Sequence, residues 1–232
     1  MKQLIFNLQA LDRKERFAVL RDVLGFDQNT PCLDDCFRYR LSSLIDTTVP
    51  KKCFCAMDYH LDWIRLALHL AERPELGFGN EKCIKNPFCD YNKNQRDVDL
   101  LVAFPADCDS QVTHLVMIEA KAYSSWENDQ LKAKAETLKC IFGKDGKRRN
   151  KVLPYFVLMS DKEPERVNVD CWPEWMTENK KKPIWLKYKL PRRKQAVRCD
   201  PQGKNSANGG HLRLDDVGSC QEQTDELVKQ AS

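Results

Sequence analysis

The sequence predicts an α/β protein built on a mixed β-sheet, and three observations carry that class. Apolar side chains recur at helical spacing through the first seventy or so residues. The period then shortens to that of strands at residue 97. After two strands, one amphipathic helix leads into another buried apolar run.

The elements follow in order. LDRKERFAVLRDVLG (11–25) spaces Leu11, Phe17, Leu20 and Leu24 for a helix and ends on Gly25, a natural C-cap. LDDCFRYRLSSLID repeats the pattern with Leu33, Phe37, Leu41 and Leu44. DYHLDWIRLALHLAERP is the strongest helix pattern. Leu61, Ile64 and Leu68 form one stripe, Trp63 and Leu70 widen it, and Pro74 stops it. A polar loop, GFGNEKCIKNPFCDYNKN, separates this helix from DVDLLVAF (97–104) and THLVMIEAK (113–121), two strands joined by the turn-like PADCDSQ. SSWENDQLKAKAETLKCIFG reads as a helix from a Ser124/Glu127 capping box to Gly143. The basic loop KDGKRRNK then leads into the buried strand VLPYFVLMS. IWLKYKL alternates, with Ile184, Leu186, Tyr188 and Leu190 on one face and Trp185, Lys187 and Lys189 on the other. QAVRC and HLRL are short strands around a Gly/Asn/Ser-rich turn that includes ANGG, which follows no strand in the manner of a nucleotide loop.

The organisation expected is an N-terminal helical extension (1–56), a core (57–160), a basic β segment completing the domain (161–220) and a polar tail (221–232). At 232 residues the chain is long enough for one substantial core with a small accessory lobe. Its composition, 42% hydrophobic and 31% charged, is that of a soluble globular protein, and a net charge of +4 discriminates little between partners. No apolar run approaches the roughly 20 residues of a bilayer span, so no membrane partner is expected. MKQLIFNLQA lacks the apolar core and cleavage site of an export signal, so the expected location is cytoplasmic. Eleven cysteines, an odd number, then read as reduced thiols. Cys53, Cys55, Cys83 and Cys89 could supply four thiolates to zinc, but their spacing is not the paired CxxC of structural sites. His60, His69, His114 and His211 show no ligand or dyad spacing and read as structural or exposed.

The chemistry concentrates at HLVMIEAKAY (114–123). Four apolar residues are followed by Glu119 and Lys121, which share a face at the rim of a core strand. An antiparallel hairpin brings Asp99 of the preceding strand opposite that end. Two carboxylates at short range suit Mg²⁺ or Mn²⁺, and a lysine beside them can position a water or take its proton. A Glu-x-Lys alone is most often a surface ion pair. The apolar strand, the acid on its neighbour and the helix immediately after raise the odds of a site, because charge on a core strand is costly without a purpose.

RDVDLLVAF and IEAKAYSSWENDQL together resemble the PD-(D/E)xK, or restriction-endonuclease-like, nucleases. The resemblance covers roughly residues 57–160 and includes a preceding helix. It implies a restriction-endonuclease-like mixed sheet flanked by helices, and metal-dependent hydrolysis of phosphodiester bonds in DNA. Asp99 and Glu119 would bind the metal with help from the Ala120 carbonyl, and Lys121 would serve the attacking water. Gln130 stands where some relatives carry a polar active-site residue. A further acid from the preceding helix falls among Asp58, Asp62 and Glu72, with Asp62 favoured for its place near the apolar stripe. Val98 departs from the signature proline, and Asp97, before the apolar run, reads as a strand-edge residue.

Residues 180–198 hold nine Lys or Arg, with aromatics among them. Lys187, Lys189, Arg192 and Arg193 are candidate phosphate contacts, and Trp185 and Tyr188 candidate stacking residues. A solvated edge strand guarded by lysines is the plain alternative. The loop 144–151 is a weaker candidate. The partner expected is nucleic acid, DNA first, and a homodimer is a frequent arrangement of nucleases that cut both strands. The rival reading is a catalytically silent nuclease-fold module that binds nucleic acid or a protein.

Overall fold

The computed structural model describes residues 2–11, 33–76, 96–107, 111–122, 125–188 and 193–217. Helix α1 spans Lys2–Leu11 and α2 Asp35–Ile45. Strand β1 (Phe54–His60) runs directly into α3 (Leu61–Glu72). Strands β2 (Asp97–Pro105) and β3 (Thr113–Lys121) follow, then α4 (Asn128–Phe142), β4 (Val152–Ser160), the short β5 (Thr177–Glu178), β6 (Lys182–Lys187), β7 (Arg193–Cys199) and β8 (His211–Val217). The α/β class with a mixed sheet is as expected. Six strands form one sheet in the order β1-β2-β3-β4-β6-β5, and β7 and β8 form a second, two-stranded sheet.

The register follows from the sequence pattern. β2 and β3 pair antiparallel, from Leu100↔Ile118 to Pro105↔Thr113, as a hairpin. β3 and β4 pair parallel along their whole length, joined by the α4 crossover. β6 adds parallel to β4, from Val157↔Ile184 to Ser160↔Lys187. Burial is two-sided at the sheet centre. Leu115, Met117, Phe156 and Leu158 face a core shared with α1, α3 and α4. Val116, Ile118, Val157 and Leu186 face another shared with α2. Sandwiched strands of this kind read as continuous apolar runs.

Several local outcomes differ from the sequence reading. Residues 58–60 close a strand instead of opening the helix. Phe54, Cys55 and Ala56 are all buried, so FCAMDYH shows no alternation to reveal it. Helix α1 falls within the helical extension expected over 1–56, although no element was read before Leu11; it spaces Leu4 and Leu8 four apart and packs both into the main core. Its Asn7 Nδ2 donates to Ala67 O of α3 at 3.1 Å. Helix α4 starts at Asn128, with Glu127 as an N-cap that makes no side-chain capping bond; Ser124 lies outside the described residues. The expected helix 11–25 beyond Leu11, the loop 77–94 and the tail 221–232 also lie outside them. By contrast α2 behaves as read, with Asp34 accepting from Phe37 N at 3.0 Å as its N-cap.

Among the described residues no helix is long and apolar enough to cross a membrane. The described cysteines, including Cys53 and Cys55, are thiols. Those two sulfurs lie 3.6 Å apart in the core, while Cys83 and Cys89 fall outside the described residues.

Candidate acid–lysine site

The site forms where the β2–β3 ladder ends. The last paired residues are Leu100 and Ile118, and one step beyond them the register brings Asp99 opposite Glu119. Asp99 replaces the missing ladder bond with its side chain, Oδ2 accepting from Ala120 N at 2.6 Å. A charge-assisted bond of this kind fixes the carboxylate against the β3 backbone. On the other flank, Met57 pairs with Leu100 and Tyr59 with Val98, which sets Asp58 opposite Asp99. Asp58 is exposed and holds a left-handed backbone, φ +50°. Asp99 and Glu119 therefore face each other where the β2–β3 ladder ends, with Asp58 beside Asp99 on the neighbouring strand.

Glu119 is the buried member. It continues the face of Leu115 and Met117, which turns it towards α4, and only 3% of it is exposed. There Lys134 of α4 donates to its Oε2, with 4% exposure of each side chain. Burial raises the pKa of Glu119. The Lys134 charge opposes that rise, the neighbouring Asp99 adds to it, and Lys121 works against it. Like-charge crowding and desolvation thus make the ionised Glu119 costly, with Lys134 its closest compensation.

Lys121 stands at the rim, half-buried, two residues beyond Glu119. It pairs with Ser160 of β4, and Ser160 pairs with Lys187 of β6. Two strand spacings set the Lys121 and Lys187 backbones about 10 Å apart along one edge. Between them, Ser160 Oγ accepts from Trp185 Nε1 at 3.1 Å and donates to Lys162 O at 2.7 Å. Lys187 is exposed and its carbonyl accepts from Arg40 Nη1 of α2 at 3.0 Å. Tyr188 N donates to Ser160 O at 2.9 Å. Trp185, Tyr188 and Lys187 therefore lie at the same end of the sheet as the acids. Lys189 and Arg192 lie outside the described residues, and Arg193 is placed only as the first residue of β7.

The remaining candidates stand apart. Gln130 is exposed on the first turn of α4, one turn before Lys134. Asp62 is 60% exposed and pairs with Arg65 at 3.5 Å. Glu72 lies at the far end of α3 and bonds Arg149 at 2.6 Å. Lys134 is the residue that reading the sequence missed. Its signal was present, because Leu131, Lys134, Ala135 and Leu138 follow the i, i+3, i+4, i+7 spacing of a buried stripe, with lysine at an apolar position.

Among the described residues no group of three or more His, Cys, Asp or Glu is arranged to hold a metal ion. The carboxylates present still suit a hard divalent cation, which takes one or two such ligands and keeps waters. Asp99 commits Oδ2 and Glu119 commits Oε2, which leaves each a second oxygen to offer. A cation would also relieve the charge crowding that burial imposes on Glu119.

No protein-family model matches the chain, and no curated protein or solved structure matches it either.

Proposed function

We propose that the protein is a metal-dependent nuclease of restriction-endonuclease-like architecture, hydrolysing phosphodiester bonds in DNA. The single observation that carries this reading is the meeting of Asp99, Glu119 and Lys121 where the β2–β3 ladder ends. The β3–α4–β4 crossover supports it, since ligand sites in parallel sheets gather beyond the carboxyl ends of strands.

Asp99, Glu119 and the Ala120 carbonyl would hold Mg²⁺ or Mn²⁺, which supplies charge neutralisation at the phosphate and a more acidic bound water. Lys134 favours the charged form of Glu119 against its burial and holds its Oε2. Lys121, at the rim, orients the attacking water and faces the phosphate oxygens. Lys187, in the same row, contacts a neighbouring phosphate, with Trp185 and Tyr188 beside it. The water oxygen bonds to phosphorus as the bond to the leaving oxygen breaks, the water's proton passing to solvent and the leaving oxygen taking one from solvent.

The test is cleavage of supercoiled plasmid and of single-stranded DNA. Activity in Mg²⁺ or Mn²⁺ that stops with EDTA and is lost together with Mn²⁺ binding in Asp99→Ala and Glu119→Ala supports the reading. EDTA-insensitive cleavage, or full activity in both variants, overturns it. The buried Lys134–Glu119 pair favours a second reading, a catalytically silent module, because Glu119 already has a resident counter-charge. DNA binding without cleavage in either metal is the outcome that selects it.

A further inference from the structure

The basic loop KDGKRRNK, residues 144–151, plays no part in the nuclease reading, yet it is firmly held. Arg148 N donates to Phe142 O at 2.9 Å, and Trp175 Nε1 donates to Gly143 O at 3.1 Å. The Arg148 and Arg149 guanidiniums turn back to the last turn of α4 and donate to the Cys140 and Ile141 carbonyls. Lys151 closes the loop at φ +65°, and its carbonyl accepts from Thr113 N at 2.8 Å.

This anchored loop walls a cavity of about 550 Å³, within the size range of small-molecule sites. Arg148, Arg149 and Lys151 line one side, Leu68 and Val152 belong to the apolar side, and Glu72 is the acid among the described lining residues. Glu72 offsets one positive charge through its 2.6 Å bond to Arg149. A second buried guanidinium, Arg65, lies near enough to Arg149 to oppose its charge. Arg65 is 4% exposed, and its Nε, Nη1 and Nη2 make no hydrogen bond among the described residues; Asp62, at 3.5 Å, is mostly in solvent. Two buried guanidiniums whose acids, Glu72 and Asp62, both reach into solvent are stabilised by an incoming anion.

The cavity is separate from the acid–lysine site. Its Val152 pairs with Thr113 at the start of β3, and Glu119 lies six residues further on, about 20 Å along an extended strand.

We propose that this cavity binds a small phosphorylated ligand of nucleotide size. Its phosphate oxyanions meet Arg148, Arg149 and Lys151, and its less polar part rests against Leu68 and Val152. Arginine forks suit such oxyanions because two N–H groups meet two oxygens at once. The proposal does not depend on the nuclease reading.

Calorimetric titration of the full chain in EDTA tests it, with pyrophosphate, ADP and a 5′-phosphorylated oligonucleotide beside its unphosphorylated twin. Pyrophosphate and ADP should bind saturably. The double variant Arg148→Gln/Lys151→Gln changes two exposed side chains and should weaken both by about tenfold or more, as loss of charge-assisted bonds does. Lys51→Ala, which removes an exposed lysine outside both sites, should leave both affinities unchanged. Preference for the 5′-phosphorylated strand over ADP, lost in the double variant, would identify a nucleic-acid end as the source of the phosphate. Absence of binding by every phosphate probe at millimolar concentration overturns the proposal. So does unchanged affinity in the double variant, or an equal loss in Lys51→Ala.

Discussion

Lys134 of α4 and Glu119 of β3 form an ion pair inside the protein, the lysine donating to Oε2 with 4% of each side chain exposed. Removing one partner of such a pair strands a buried charge. Lys134→Ala should therefore lower unfolding stability by about 3–5 kcal/mol in urea titrations run with EDTA. Lys134→Met combined with Glu119→Gln should recover most of that loss, since no charge is left buried. Equal stability of the single variant and wild type would show that the pair is dispensable.

Lys121 presents the opposite case. It is half-buried at the rim, and its Coulombic effect on Glu119 is weaker than that of Lys134. Lys121→Ala should keep the fold and Mn²⁺ binding, while single-turnover cleavage falls by roughly 10²-fold, the cost of a misplaced attacking group. Cleavage at the wild-type rate would remove Lys121 from the mechanism.

His114 supplies a pH dependence. Its ring stacks between Phe104 and Tyr155, with centroids at 4.9 and 5.8 Å, and Nδ1 lies 3.1 Å from the Tyr155 hydroxyl. Burial lowers its pKa below the usual 6.5, against a smaller upward pull from Asp107. A histidine depressed in the folded state stabilises above its unfolded pKa, and that contribution is lost as pH falls below 6.5 towards the folded value. His114→Phe should therefore show a shallower loss of stability than wild type between pH 7.5 and 5, measured by urea midpoints. Parallel slopes would contradict this.

Gly146 occupies φ +73°, where an added Cβ would meet the Trp175 ring at 3.0 Å. Both the backbone and the contact oppose a side chain. Gly146→Ala should cost about 1–3 kcal/mol in thermal unfolding. Under the phosphate proposal it should also weaken pyrophosphate binding, because the loop presenting Arg148 and Lys151 would shift.

The sequence pattern was most legible where periodicity was strong and local. β2, β3, β4 and the α3 stripe follow directly from it, and so does the meeting of Asp99 with the Glu119–Lys121 end. β1 was hidden because a strand buried on both faces loses its alternation, and the cysteines of CFC drew attention to metal chemistry instead. Lys134 was hidden for a different reason. A lysine on a helix is usually solvated, so its place in the apolar stripe of α4 is easily passed over, and only the packing of α4 on β3 shows that it meets Glu119. Gln130 illustrates the same limit, one turn short of the position that reaches Glu119. The basic loop at 144–151 looked like solvated surface because composition cannot show that Arg149 is buried.

The placement of the crossover bears on how the molecule assembles. Asp99, Glu119, Lys121 and Lys134 all lie between residues 97 and 160, the span of the β2–β3 hairpin and the β3–α4–β4 unit. Closing the β2–β3 hairpin costs less chain entropy than adding β1, which is separated from β2 by α3 and the segment after it. The centre of the sheet should form early and carry the acid–lysine cluster with it, before the flanking strands arrive. In pulse-labelled hydrogen exchange during refolding, the amides of Val116, Met117 and Ile118 should gain protection ahead of those in β1. Nascent chains would then hold four charged side chains against an incomplete core, so the Lys134–Glu119 pair would be made while one side of the sheet is still wet.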